Sequence, residues 1–493
     1  MDYPKEILVK NYFEIHNYYS NIYGLDKTII LMQVGSFHEA YSIYPDGDGL
    51  DLLKLSQELD IICTMKNNKL PLSKNNPKML GFPIYTTHNY IDKLIDINYT
   101  VILIDQVSQP PNPIRKVVGI YSPATYIEKN TSSINYLVSI VIDKIKNNLC
   151  IGLCAYDLST GEGAVYETYS TSQDKFLGLD NSIRFLDKYP PREIILQNNL
   201  EENLSTDFNE ILNYLNIDQN SKNIYTVKII NHKKINWQIE LINKVYKNSL
   251  ENLNLEFYNW GRLSLVILLD YVISHQFNLV NNLKEPLIFN NEEHLYLGNR
   301  ALDQLSISNL FNIINNTKTI LGKKYLNNQL KLPLNNSRID ELNLRYNLIK
   351  YIIDNKHYQF IVNYLEDITN LDKLIRKLEI NIINPCEIYN LYLSFYQIDK
   401  LNKYFEKNNL LELFSINEKL IKNIEKILEW INKKFKLEKL CNINFNNFTE
   451  TDFSFYQNNI HLNIDELQNK IDITQNFMSY LIQELEKFIN EKK

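Results

Sequence analysis

The chain has 493 residues, a net charge of −6, and 44% apolar and 22% charged residues. That length exceeds a single core and predicts about three or four domains, and the composition is that of a soluble globular protein. No apolar run of about 18 residues is present, so no transmembrane helix is expected, and the start MDYPKEILVK reads as neither a signal nor a transit peptide. The acidic balance argues against a nucleic-acid partner unless the basic residues are segregated. Five scattered cysteines in no zinc-like spacing fit a reducing, intracellular compartment.

The first pattern is TIILMQVGSFHEAY, Thr28–Tyr41. Its apolar run Ile29–Met32 reads as a buried strand. Gly35 breaks the run, and a glycine there lets the backbone turn sharply or approach a partner closely. If the following segment is extended, Phe37 and Glu39 point the same way. A ring and an acceptor on one side can stack on a base and bond its edge; the plainer reading is a core phenylalanine beside a surface glutamate. Leu50–Leu59 has helical spacing and Leu59–Met65 reads as a strand. The loop 66–79 follows, and Lys66, Lys69, Lys74 and Lys78 fall between Ile61 and Leu80 with no acid among them. Thr87 or His88 opens a helix running to about Ile97. Val101–Ile104 is a strand covered on both faces, and Arg115–Ile120 is another, with Arg115 and Lys116 as a second basic point. The lysines and Arg115 read equally as phosphate contacts or as a solvated surface.

From about Asn130 the pattern changes. Tyr136–Ile145, Asn148–Asp157 and Gly163–Tyr169 form a meander, with Cys150 and Cys154 as core thiols on one face. A helix through Asp187 and a strand Glu193–Gln197 complete a second α/β domain. From about Leu250 the chain is helical, punctuated by Pro333 and Pro385. Ile464–Ile489 is one amphipathic helix whose stripe needs a partner. It reads either as a cut through a larger architecture or as a helix paired with an earlier one. The expected fold class is multidomain α/β followed by all-α.

Three separated stretches resemble the MutS mismatch-repair family. LMQVGSFHEAY looks like the family's strand–glycine–Phe-x-Glu element, followed in order by GFPIYTTHNYIDKLIDINYTVILIDQV and RKVVGIYSPATY. IGLCAYDLSTGEGAVYE resembles the connector hairpin. LYLGNRALDQLSI, TKTILGKKYLNNQLKLPL and RIDELNLRYNLIKYI resemble the start of the lever. The resemblance implies a mismatch-binding domain over 1–127, an RNase H-like connector over 128–247, a helical lever over 248–415, and helices leading toward the clamp over 416–493. It makes Phe37 the wedge that stacks on a mispaired base and Glu39 the residue that bonds that base. Lys66, Lys69, Lys74, Lys78 and Arg115 become DNA-backbone contacts. The implied partner is duplex DNA with mismatches or small loops. His38 departs from the family's frequent tyrosine, and Gln33-Val34-Gly35-Ser36-Phe37 departs from its Met-Gly-Asp/Glu-Phe run. The composition suggests a branch like that of large DNA viruses or octocoral mitochondria.

The family's ATPase needs a G-x-x-x-x-G-K-[ST] loop. No such spacing occurs in the 493 residues; Gly322-Lys323-Lys324 lacks the upstream glycine and the hydroxyl. This chain is therefore expected to take no cofactor, although the full-length family uses ATP and Mg, and to dimerise only where that ATPase is present. Two rival readings stand beside this one. A metal-dependent nuclease on the second domain would use Asp157 and Glu162. A helical interaction scaffold would have lost DNA binding.

Overall fold

In a computed structural model, the structure describes residues 8–491 except 66, 110, 112, 129–134, 147, 201–204, 219, 220, 222, 223, 227–230, 291–293, 296, 298–300, 415 and 446–452. The chain forms two compact units. One comprises Met1–Asn316, Leu321–Leu342 and Ile375–Asn381; the other comprises Thr317–Ile320, Asn343–Leu374 and Ile382–Lys493.

The larger unit contains two sheets. The first begins with helix α1 (Leu8–Tyr23), strands β1 (Thr28–Val34) and β2 (Phe37–Ser42) and helix α2 (Leu52–Leu59). Strands β3 (Thr64–Met65) and β4 (Lys78–Pro83), helix α3 (Thr87–Asp96), and strands β5 (Thr100–Gln106) and β6 (Arg115–Tyr121) complete it. The strand order is β3-β4-β2-β1-β5-β6, with β1 and β5 parallel and the other pairs antiparallel. Apolar residues on both faces of β1 and β5 are buried because helices cover both sides. Leu52, Leu55 and Leu59 of α2 and Ile91, Leu94 and Ile95 of α3 close a core with Ile29, Leu31, Val101 and Leu103. On the other face, the Tyr12 hydroxyl of α1 donates to the Ile30 carbonyl at 3.2 Å. The strand expected over Leu59–Met65 shrinks to Thr64–Met65, because Asp60 turns left-handed (φ 57°) and terminates α2.

The second sheet contains β7 (Tyr136–Ile145), β8 (Asn148–Asp157), β9 (Glu162–Tyr169), β10 (Pro191–Asn198), β11 (Ile224–Thr226) and β12 (Leu287–Ile288). Its order is β11-β10-β7-β8-β9-β12: an antiparallel meander extended by parallel strands at both edges. Helices α4 (Leu177–Lys188), α5 (Ser205–Tyr214), α6 (Ile235–Tyr246) and α7 (Asn259–His275) accompany it. Cys150 and Cys154 of β8 are both buried and free.

The first helix of the region expected to be the lever belongs instead to this second core. Helix α7 lies on β7, β8 and β9, and its Ser264 hydroxyl donates to the Ser139 carbonyl at 2.7 Å. The amides of Trp260 and Gly261, at its N-terminus, donate to Glu167 Oε2 at 2.6 and 2.9 Å. A carboxylate at that end suits the helix dipole. The contact is close enough that a Cβ on Gly152 would stand 2.1 Å from the Trp260 carbonyl oxygen. Glu193 then ties this core to the first. It accepts from Ser122 Oγ at 2.7 Å, from the Ala124 amide at 3.0 Å, and from the Tyr271 hydroxyl of α7. Burial pushes the Glu193 carboxyl above its ordinary value, and these three donors oppose that shift. Residues Ile375–Asn381 join the same unit through Arg376, whose guanidinium donates to the carbonyls of Leu158, Leu279 and Asn281.

The second unit is helical. Its longest members are Pro385–Lys407 and Leu462–Glu491. Pro385 stands at the start of its helix, behind an Asn384–Glu387 capping box, so the proline marks a beginning as expected. Ile431, Phe435 and Leu440 form a small core with Ile388, Tyr389 and Tyr392. No division falls at residue 415, since the helices on either side, Pro385–Lys407 and Glu418–Lys434, pack together. Along Leu462–Glu491 the stripe Leu467, Ile471, Met478, Leu481, Leu485 and Ile489 is exposed.

Candidate nucleic-acid interface

The turn between β1 and β2 is two residues long, with Val34 opposite Phe37 across it. Gly35 has φ +63° and Ser36 is not at positive φ, the pattern of a type II′ hairpin with glycine in the first central position. A Cβ at Gly35 would meet nothing within 4 Å, so the turn requires glycine for its backbone and not for space.

Beyond the turn, β2 alternates as the extended segment predicts. Phe37 is 44% exposed, His38 is 2% exposed, Glu39 is half-buried and Ala40 is buried. The Phe37 ring therefore projects from the hairpin, and Glu39 shares its face. Tyr41, next on that face, donates its hydroxyl to Glu39 Oε2, and burial followed by this carboxylate pushes the Tyr41 phenol above its ordinary value. Opposite Glu39 on β4 stands Gly81. A Cβ there would lie 3.2 Å from Glu39 Cγ, so the absence of a side chain leaves room for the carboxylate. Other exposed apolar residues gather at this end of the sheet. Ile84 and Tyr85 follow β4, and the Ile84 amide donates to the Ser36 carbonyl at 3.0 Å. Val107 and Ile114 are also exposed and flank the β5–β6 connection.

The hairpin is braced from neighbouring strands. Gln33 Oε1 accepts from the Gln106 amide at 2.7 Å, and Gln33 Nε2 donates to the Gly35 carbonyl at 3.1 Å. Arg115 requires a correction. As a basic residue at a strand start it is expected at the DNA backbone, yet it is 1% exposed and its Nε donates to the Gln33 carbonyl at 2.9 Å. Burial lowers its pKa, while the neighbouring Tyr41 hydroxyl and Glu39 carboxylate oppose that effect. A guanidinium in that position cannot reach a phosphate; it supports the root of the hairpin beneath Glu39. Strand pairing of Arg115 with Gln106 puts it there, and that pairing is not readable from local sequence.

The lysine loop is ordered by a residue that sequence reasoning missed. Asn76 accepts from the Asn67 amide and donates to the carbonyls of Asn67, Leu70 and Pro71. Lys69 is exposed. Lys74 is exposed and pairs with Asp48 at 3.1 Å, an exposed pair of small energetic weight. Lys78 donates to the Tyr44 carbonyl at 3.0 Å. Lys66 lies outside the described residues.

The two acids of the nuclease reading are engaged separately. Asp157 accepts from the Ser159 amide and hydroxyl within its own turn, and Glu162 pairs with Lys284 at 2.9 Å. Among the described residues, no group of three or more His, Cys, Asp or Glu is placed to hold a metal, and no helix is long and apolar enough to cross a membrane. Gly322-Lys323-Lys324 lies inside the helix Ile320–Lys331, not in a glycine loop that could cradle a nucleotide phosphate.

Fold and site together define a class: a multidomain protein whose first α/β domain presents an aromatic–carboxylate hairpin, followed by a second α/β domain and a helix-rich region. Family models agree on all three parts, matching MutS domain I over residues 8–130, MutS domain II over 135–284 and MutS domain III over 288–491. The chain belongs to the MutS family. It is 29% identical, over 97% of its length and 46% of the relative's, to a putative DNA mismatch repair protein mutS homolog of Acanthamoeba polyphaga mimivirus. The DNA mismatch repair protein MutS of Finegoldia magna is 28% identical over 77% of this chain and 42% of the relative. That of Clostridioides difficile is 27% identical over 98% and 47%. The chain thus spans about half the length of the curated relatives it matches.

Proposed function

We propose that this chain binds duplex DNA at mispairs or small loops, and that the β1–β2 hairpin makes the recognition. Phe37 enters the minor groove as a wedge and unstacks a base step, kinking the duplex. Unstacking costs a few kcal/mol and least where pairing is already faulty, so the same contact selects damaged pairing through deformability without reading sequence. Glu39 weakens binding to intact duplex by repulsion from phosphates and recovers that loss where an unpaired base edge offers a donor. Lys69, Lys74 and Lys78 contact the backbone and set position. The observation that carries this reading is the exposure of the Phe37 ring at the tip of a hairpin whose next residue is buried and bonded.

The test is a titration of the chain with labelled duplexes that differ only in one mispair, at low salt. Tighter binding of the mispaired duplex is expected, with affinity for both falling as salt rises. Equal binding of the two duplexes overturns the wedge, and no binding to either favours the interaction-scaffold reading.

A further inference from the structure

The middle residue of the Phe37-His38-Glu39 triplet points away from the face that carries its neighbours. Its buried imidazole joins three elements. Nδ1 lies 2.7 Å from the hydroxyl of Thr87, the first residue of α3, and Nε2 lies 2.8 Å from Asp105 Oδ1 on β5. Two strand boundaries separate β2 from β5 in the sheet order, so this contact spans β1 and fixes β2 against a strand it does not pair with. One arrangement of the ring satisfies both partners, with Nε2–H donating to the carboxylate and Nδ1 accepting from the Thr87 hydroxyl. An apolar side chain could fill the same space without a polar requirement; the histidine adds direction. Because Phe37 and Glu39 are each one peptide from His38, the angle at which His38 is held is transmitted to both.

We propose that His38 is a positioning residue whose bond to Asp105 sets the projection of the Phe37 ring and the place of the Glu39 carboxylate, and so sets the preference for mispaired over paired duplex. This rests on the DNA-binding reading above.

The experiment compares the parent chain with His38→Gln, His38→Asn, His38→Ala and Asp105→Ala in the paired titrations. A base-analogue fluorophore beside the mispair reports unstacking, and a thermal melt accompanies each variant. Glutamine carries its amide nitrogen near the place of Nε2 and can still donate to Asp105, whereas asparagine reaches only toward Thr87. Loss of one such hydrogen bond predicts an about three- to tenfold fall in mispair preference for His38→Asn, His38→Ala and Asp105→Ala. Unstacking fluorescence falls with it, affinity for paired duplex is unchanged, and His38→Gln restores the parent ratio. If His38→Asn and Asp105→Ala keep the parent ratio, or if the ratio merely tracks melting temperature across all variants including His38→Gln, the positioning role is overturned while the wedge stands. If the parent itself shows no preference, the DNA reading fails and this proposal fails with it.

Discussion

Replacing Phe37 by alanine tests the wedge with little risk to the fold. The ring is 44% exposed at a hairpin tip and belongs to none of the core clusters, so the folded chain loses about 0.5 kcal/mol or less, as for a surface substitution. Binding loses more. Stacking of one base on an aromatic ring contributes about 1–3 kcal/mol. At tenfold per 1.4 kcal/mol, affinity for mispaired duplex falls by about 5- to 150-fold. Affinity for paired duplex changes little, since the lysine contacts are untouched, and the dependence of log affinity on log salt keeps its slope. Fluorescence anisotropy on both duplexes at several salt concentrations, with a thermal melt of each protein, separates these quantities. Unchanged preference in Phe37→Ala would refute the reasoning. So would a melting temperature that drops by many degrees, because the ring would then be structural.

Three other perturbations have definite signs. Glu39→Gln removes a charge near the phosphates while keeping an acceptor for Tyr41; paired-duplex affinity should rise about two- to fivefold, narrowing the preference, and an unchanged ratio in the same titration counts against the role of Glu39. Gly35→Val places a branched residue at φ +63°, a left-handed conformation costing about 1–2 kcal/mol, measurable by urea unfolding, whereas Gly35→Asn should cost less. His275 is buried, its Nδ1 lies 2.8 Å from the Tyr271 carbonyl, and burial lowers its pKa to about 4. Because that folded value lies below the unfolded one, its contribution is fully present above the unfolded value of about 6.5. It is lost as pH falls toward 4, amounting to about 3 kcal/mol across that window. The unfolding midpoint of the parent should fall relative to that of His275→Leu between pH 7 and pH 4, and parallel curves would exclude this source.

How far the chain was legible in advance follows from which forces were local. The bounds of β7 and β8 agree with the sequence reading at both ends, because long apolar runs closed by turn residues leave few alternatives. The allegiance of α7 was not legible. Its residues are buried nearly all round, from Gly261 to Leu269 without a break, and a helix apolar on every side does not reveal which layer it enters. The close approach at Gly152, the cap from Glu167 and the Ser264–Ser139 bond decide it. Lys69 and Lys74 are exposed as their type suggests, yet Arg115 of the same chemical class is buried, because its environment is built by pairing with a strand nine residues earlier. That Phe37 and Glu39 share a face followed from strand alternation; which face is exposed did not, and their supports, Gln33, Gln106, Thr87 and Asp105, come from other elements and carry no local signature.

That division bears on how the hairpin can work. Three positions around the turn are each held from outside β2: Gln33 by Gln106 of β5, the Ser36 carbonyl by the amide of Ile84, and His38 by Thr87 and Asp105. In the proposed reading, a wedge that opposes base stacking of a few kcal/mol cannot yield by bending at its own turn. Two strands joined by two residues are marginal alone, so stiffness has to be imported from the sheet and from α3. Ordering completed during folding does not have to be repeated on insertion into DNA. The departures at Ser36 and His38 are therefore compatible with the roles proposed for Phe37 and Glu39, because neighbouring elements supply a partner for each.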